Sequence, residues 1–70
     1  MRGKIKAIIP ERYFGFITGN DGIEYFLHKR NFTGSWDQLI KDTVKDRIID
    51  VVFDAETTPK GKRANNCGRI

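Results

Sequence analysis

Cysteine and histidine each occur once in this 70-residue chain, as Cys67 and His28. A single cysteine rules out an internal disulfide, and one Cys with one His falls short of the three or four protein ligands a zinc site needs. Asp37, Asp42 and Asp46 lack the spacing of a calcium loop. Long apolar runs are missing too. Nothing approaches the length of a membrane span, and the N-terminal MRGKIKAIIPER has basic residues but no signal-type apolar core. There is no internal repeat, no low-complexity tract and no linker. No nucleophile lies beside a base, no glycine loop could cradle a phosphate, and no paired-carboxylate motif occurs. These absences point away from an enzyme and away from a metal or small-molecule cofactor. They lead us to expect one small domain over residues 1–70, soluble and cytoplasmic, with a modest core.

What is present is charge, unevenly placed. The net charge is +4. Residues 1–33 carry six basic and three acidic side chains, residues 34–56 three and six, and residues 57–70 four and none. Basic ends around an acidic middle could gather into one basic face that attracts polyanions, or could be ordinary solvated surface. Lys41, Lys45 and Arg47 lie among acids and read as solvated.

The pattern of apolar residues is mostly that of strands. Residues 2–9 alternate, with Ile5, Ala7 and Ile9 on one face and Lys4, Lys6 and Ile8 on the other. Pro10 and Glu11 break the run. Residues 12–18, RYFGFIT, read as a second strand and 23–28, IEYFLH, as a third. The GNDG between them tolerates the positive φ of a tight turn. Residues 47–54 and 63–70 read as the fourth and fifth strands, separated by a polar loop, AETTPKGKR. Over 35–45, Ser35 with Gln38 fits a capping box, and Trp36, Leu39, Ile40 and Val44 fall at helical spacing. The expectation is a short helix or helical turn between strands three and four; a structured loop with Leu39 plugging the barrel end is the alternative. Five short strands suggest an all-β, closed or nearly closed antiparallel barrel, because closure removes exposed edges. The sequence pattern also allows an SH3-like barrel.

The third strand is informative about function. Glu24, Phe26 and His28 share one face. Glu and His prefer water, so Phe26 stands on the wet side, where a core would not place it. The second strand is ambiguous by periodicity alone. Either Phe14 and Phe16 point out and Tyr13, Gly15 and Ile17 point in, or the reverse.

The combination of GKIK at 3–6, RYFGFI at 12–17 and EYFLH at 24–28 resembles the cold-shock domain. That family has a KGFGFI-like second strand and a DVFVH-like third strand, preceded by GKxK. WxxL at 36–39 and KGKRANNC at 60–67 are weaker echoes, of the family's FxxL and GPxAxNV. The resemblance implies a five-stranded OB-type barrel that binds single-stranded RNA or DNA. It puts Phe14, Phe16, Phe26 and His28 on the binding face and makes Lys6 and Arg12 basic contacts. It leaves Tyr13, Gly15 and Ile17 on the core side. In such barrels the loops joining strands one to two and four to five border the ligand, which adds Lys60, Lys62 and Arg63. Trp36 either stacks a base or seals the barrel end beside Leu39. Cys67 reads as a small core hydrophobe.

The departures are specific. The family's Trp-Phe pair after GKxK is Ala7 and Ile8 here. The Phe after the histidine is Lys29, followed by Arg30, and the glycine before the first ring is Tyr13. Two or three stacking platforms are lost, and Lys29 and Arg30 add charge. At about 1–3 kcal/mol per stack, losing two weakens binding by about 2–6 kcal/mol, only partly offset by charge. The implied protein is an RNA chaperone or cold-shock-like regulator with micromolar or weaker, salt-dependent affinity. It would be a monomer, although a strand-swapped dimer is compatible with a small barrel that has a long third connection. A protein-interaction module on the same barrel, using the acidic segment and helix, is the alternative function.

Overall fold

The computed structural model describes residues 1–45 and 48–70. Arg47, where the fourth strand was expected to begin, lies outside the described residues, as does Asp46. The elements are β1 (Arg2–Ile9), β2 (Phe14–Gly19), β3 (Glu24–His28), β4 (Phe32–Thr33), α1 (Trp36–Val44), β5 (Ile49–Thr58) and β6 (Gly61–Arg69). They form one sheet in the order β3-β2-β1-β5-β6-β4. A further pairing of β3 with β6 closes the sheet into a ring.

The architecture is mostly β, as expected, but it has six strands rather than five. The extra one is the two-residue β4. Nor is the pairing wholly antiparallel, since β3 and β4 both run parallel to β6. The stretch expected to be a polar loop, 55–63, is instead the arm of a hairpin. Ala55 faces Ala64, Glu56 faces Arg63, Thr57 faces Lys62 and Thr58 faces Gly61, so only Pro59 and Lys60 turn. Both faces of this arm are largely polar, so alternation carries no strand signal there. Cross-strand side-chain pairs hold it instead. Arg63 and Asn65 both donate to the Glu56 carboxylate, and Lys62 donates to Thr57 Oγ1 at 3.2 Å. Gly61 sits at φ 129°, a conformation that suits glycine at the end of the turn.

Strand β1 also departs from its simple alternation. Gly3 and Ile5 point inward, but the register on β2 shifts between Ile5 and Ala7. Beyond this bulge Ala7 lies opposite Phe16, Ile8 opposite Gly15 and Ile9 opposite Phe14. Ile8 therefore packs against the core, while Ala7 is exposed; the face shared by Ile5, Ala7 and Ile9 in the sequence is broken.

The interior is built from Ile5, Ile17, Tyr25, Leu27, Ile49, Val51, Phe53, Ala64 and Cys67. Burial pushes the Cys67 thiol up to about 12, which keeps it protonated and inert. Phe32, Trp36 and Leu39 join the same core from β4 and α1. The helix starts as expected: Ser35 Oγ accepts from the Gln38 backbone N–H at 3.1 Å. Only half of the capping box forms, because the Gln38 side chain donates forward to Asp42 Oδ1 at 3.1 Å. Asp42 also accepts from Arg69 Nη1 at 2.5 Å, tying α1 to β6.

The GNDG turn carries a second tie. The Tyr25 hydroxyl donates to Asp21 Oδ2 at 2.7 Å, and the Ile23 N–H donates to Asp21 Oδ1 at 3.0 Å. The Tyr25 bond, then the Ile23 bond, hold the Asp21 carboxyl below its usual 3.8. The same carboxylate raises the Tyr25 phenol above 10.0. The signs make a prediction about pH. Asp21 stabilises the fold above 3.8 and loses that effect as pH falls through its lowered value. Tyr25 stabilises below 10.0 and loses its effect as pH rises through its raised value. Thermal melts of Asp21→Asn should therefore show a flatter pH profile at both ends than the parent. Parallel profiles would show that the pair is energetically silent.

Candidate nucleic-acid interface

Alternation on β2 and β3 sets the interface. Gly15, Ile17 and Gly19 are buried on β2, as are Tyr25 and Leu27 on β3. Phe14, Phe16 and Thr18 consequently lie on the outer face with Glu24, Phe26 and His28. Register pairs Phe14 with His28, Phe16 with Phe26 and Thr18 with Glu24. This resolves the ambiguity of RYFGFI.

The three phenylalanines pack into a partly exposed cluster. Ring centroids are 5.7 Å apart for Phe14–Phe16, 5.1 Å for Phe14–Phe26 and 6.1 Å for Phe16–Phe26. These tilted and edge-on contacts suit aromatic quadrupoles. The glycine between Phe14 and Phe16 has a steric reason. A Cβ on Gly15 would lie 2.5 Å from the Ala7 carbonyl oxygen and 2.7 Å from Ile8 Cδ1. Only glycine lets β1 close against β2 at this point.

Beside Phe16 and Phe26 opens a cleft of about 490 Å³, with Glu24, Lys60, Lys62 and Arg63 on its walls. Parallel pairing of Phe26 with Arg63 sets this cleft between β3 and the β5–β6 turn. The expected convergence of the 60–63 cations on the rings is therefore present. Their freedom differs. Arg63 is paired with Glu56, and its buried Nε has no hydrogen-bond partner among the described residues. Lys62 rests on Thr57, whereas Lys60 forms no ion pair among the described residues. Lys6 is exposed and meets Glu24 at 3.3 Å, so a ligand reaching it competes with that carboxylate.

The His28 end of the face is arranged differently. His28 Nδ1 accepts from the Arg30 N–H at 3.2 Å, which leaves Nε2 as the ring's donor. Lys29 and Arg30 begin a 3-10 turn (29–31) and are exposed. Arg12 is exposed at the end of another such turn, Pro10–Arg12.

One open reading is decided here and one expectation fails. Trp36 is 5% exposed and packs edge-on against Phe32 at 6.0 Å, so it belongs to the core and not to the interface. The helical spacing that placed Trp36 with Leu39 and Ile40 was the better guide. Tyr13, expected in the core, is 55% exposed. Its backbone is left-handed at φ 58°, ψ 35°, so it does not continue the alternation of β2. No periodicity argument could have found it, because periodicity assumes extended backbone.

No protein-family model matches the chain, and no curated protein matches it. Among the described residues no helix is long and apolar enough to cross a membrane.

Proposed function

We propose that this chain is a single-stranded nucleic-acid-binding protein, built as a divergent OB-type, cold-shock-like barrel and working as a cytoplasmic RNA chaperone. The observation that carries this reading is the cluster of Phe14, Phe16 and Phe26 on the outer face, bordering a cleft with Lys60, Lys62 and Arg63 on its wall. A core has no use for three rings on its wet side, and stacked bases do. The mechanism is binding, not catalysis. Rings stack on bases, cations follow phosphates, and His28 Nε2 and the Glu24 carboxylate offer polar groups for base edges. Duplex hides its bases, so preferential binding of open strands melts RNA structure by mass action.

The bulge in β1 narrows the expected weakness. Of the three rings missing relative to the cold-shock pattern, the one at Ile8 would point inward, so only those at Ala7 and Lys29 are lost from the face. The alternative role as a protein-interaction module finds less support, because Trp36 and Leu39 commit the apolar face of α1 to the core.

Fluorescence anisotropy with labelled oligouridine, oligothymidine and a duplex of equal length, at two salt concentrations, tests the proposal. Single strands should bind better than duplex, and log affinity should fall with log salt by about 0.7 per neutralised phosphate. Absence of single-strand binding, or equal affinity for duplex, refutes it.

A further inference from the structure

Tyr13 is not explained by the fold. A bulky side chain is out of place in the left-handed region that its backbone occupies, where glycine or asparagine is at ease. It is not in the core, and its hydroxyl has no hydrogen-bond partner among the described residues. Among the described residues its ring meets the Lys29 ammonium, 5.2 Å from the centroid. The backbone fixes that meeting, since the Lys29 N–H donates to the Tyr13 carbonyl at 2.8 Å. The pair lies at a telling place. Tyr13 directly precedes Phe14, and Lys29 directly follows His28, which is the cross-strand partner of Phe14. A strand that leaves the cleft and crosses Phe16 and Phe26, then Phe14 and His28, meets Tyr13 and Lys29 next.

Resting on the strand-binding reading above, we infer that Tyr13 is a further stacking platform of this face and that Lys29 covers it until a base arrives. An exposed cation–π contact is weak, so an incoming base displaces the ammonium from the ring. The released ammonium stays within reach of the phosphate of the same nucleotide. One short segment thus supplies both halves of a nucleotide contact, a ring and a cation. The binding face is one base longer than its phenylalanines make it. The ring absent at position 29 is replaced from position 13, at the cost of a strained backbone, a cost that functional sites often carry.

The test uses Tyr13→Asn, which suits the left-handed backbone but removes the ring, and Tyr13→Phe, which keeps the ring. Anisotropy is read with oligothymidines of roughly four and eight nucleotides, spanning the shorter site sizes of such folds. Tyr13→Asn should melt no lower than the parent yet bind the long strand about fivefold or more weakly, with a smaller deficit on the short one. Tyr13→Phe should bind both as the parent does. Lys29→Gln should flatten the salt dependence on the long strand by about 0.7 in log–log slope. Parental binding of the long strand by Tyr13→Asn, while Phe16→Ala has lost it, overturns this inference and leaves the strand-binding reading intact. If the parent binds no single strand, both fail. Should Tyr13→Asn not fold, Tyr13→Leu decides: it keeps apolar bulk without a ring, and long-strand binding equal to that of Tyr13→Phe overturns the inference.

Discussion

Replacing Phe16 with alanine should leave the domain folded while weakening its hold on a single strand by about 1–3 kcal/mol, the worth of one base stack. Phe16, like Phe26, touches both other rings and lines the cleft. Phe14→Ala and Phe26→Ala should behave alike. The rings touch one another, so the three effects will not sum, and a double-mutant cycle between Phe14 and Phe26, the closest pair at 5.1 Å, should show coupling. Each ring also contributes to stability, about 0.5–1.5 kcal/mol per aromatic contact beyond its buried area. A domain of this size has only about 4–10 kcal/mol in total. Single variants are therefore preferable to the triple. Urea melts and anisotropy titrations on the same samples check the prediction. A folded Phe16→Ala that binds as the parent does contradicts the proposed function; one that unfolds outright would make Phe16 a core residue.

Trp36→Ala has the opposite signature. Removing a large ring from a closed interior costs about 3–5 kcal/mol, a large share of the total, and lowers Tm steeply. Trp36→Phe should be much milder. The Trp36 Nε1 is buried without a partner among the described residues, and leaving such a donor unsatisfied costs about 1–3 kcal/mol. Phenylalanine gives up no hydrogen bond and removes that penalty, which offsets part of the lost contact. Once folded, Trp36→Phe should bind oligonucleotide with parental affinity, and the fluorescence of Trp36 in the parent should follow urea unfolding but not ligand. A folded Trp36→Phe with binding reduced several-fold would place Trp36 at the interface after all.

Much of the face was legible before the fold. Glu24 and His28 mark the wet side of β3 and put Phe26 there, whereas periodicity left Phe14 and Phe16 open until the register set them beside His28 and Phe26. The short helix was legible from Ser35 and the spacing of Trp36 and Leu39. Three features were not. The arm of β5 and β6 reads as loop because polar side chains occupy both of its faces, and it forms through cross-strand pairs that no local window contains. The bulge at Lys6 is a mismatch between two strands, visible only when β1 is laid on β2. Tyr13 is misread by any method that treats it as part of a strand.

By itself the sequence determined which side chains are chemically able to meet a nucleic acid: the rings around Gly15, the lone histidine and the lysines near the C-terminus. Side-chain chemistry and period-two alternation are local properties, and they survive without knowledge of the fold. Only the tertiary structure decided which of these meet. Ring closure through Phe26 and Arg63 brings the cleft cations to the rings, the packing of α1 withdraws Trp36, and a left-handed turn delivers Tyr13 to Lys29. Each of these depends on contacts between distant residues or on one backbone angle, and neither is encoded in the spacing of neighbours along the chain.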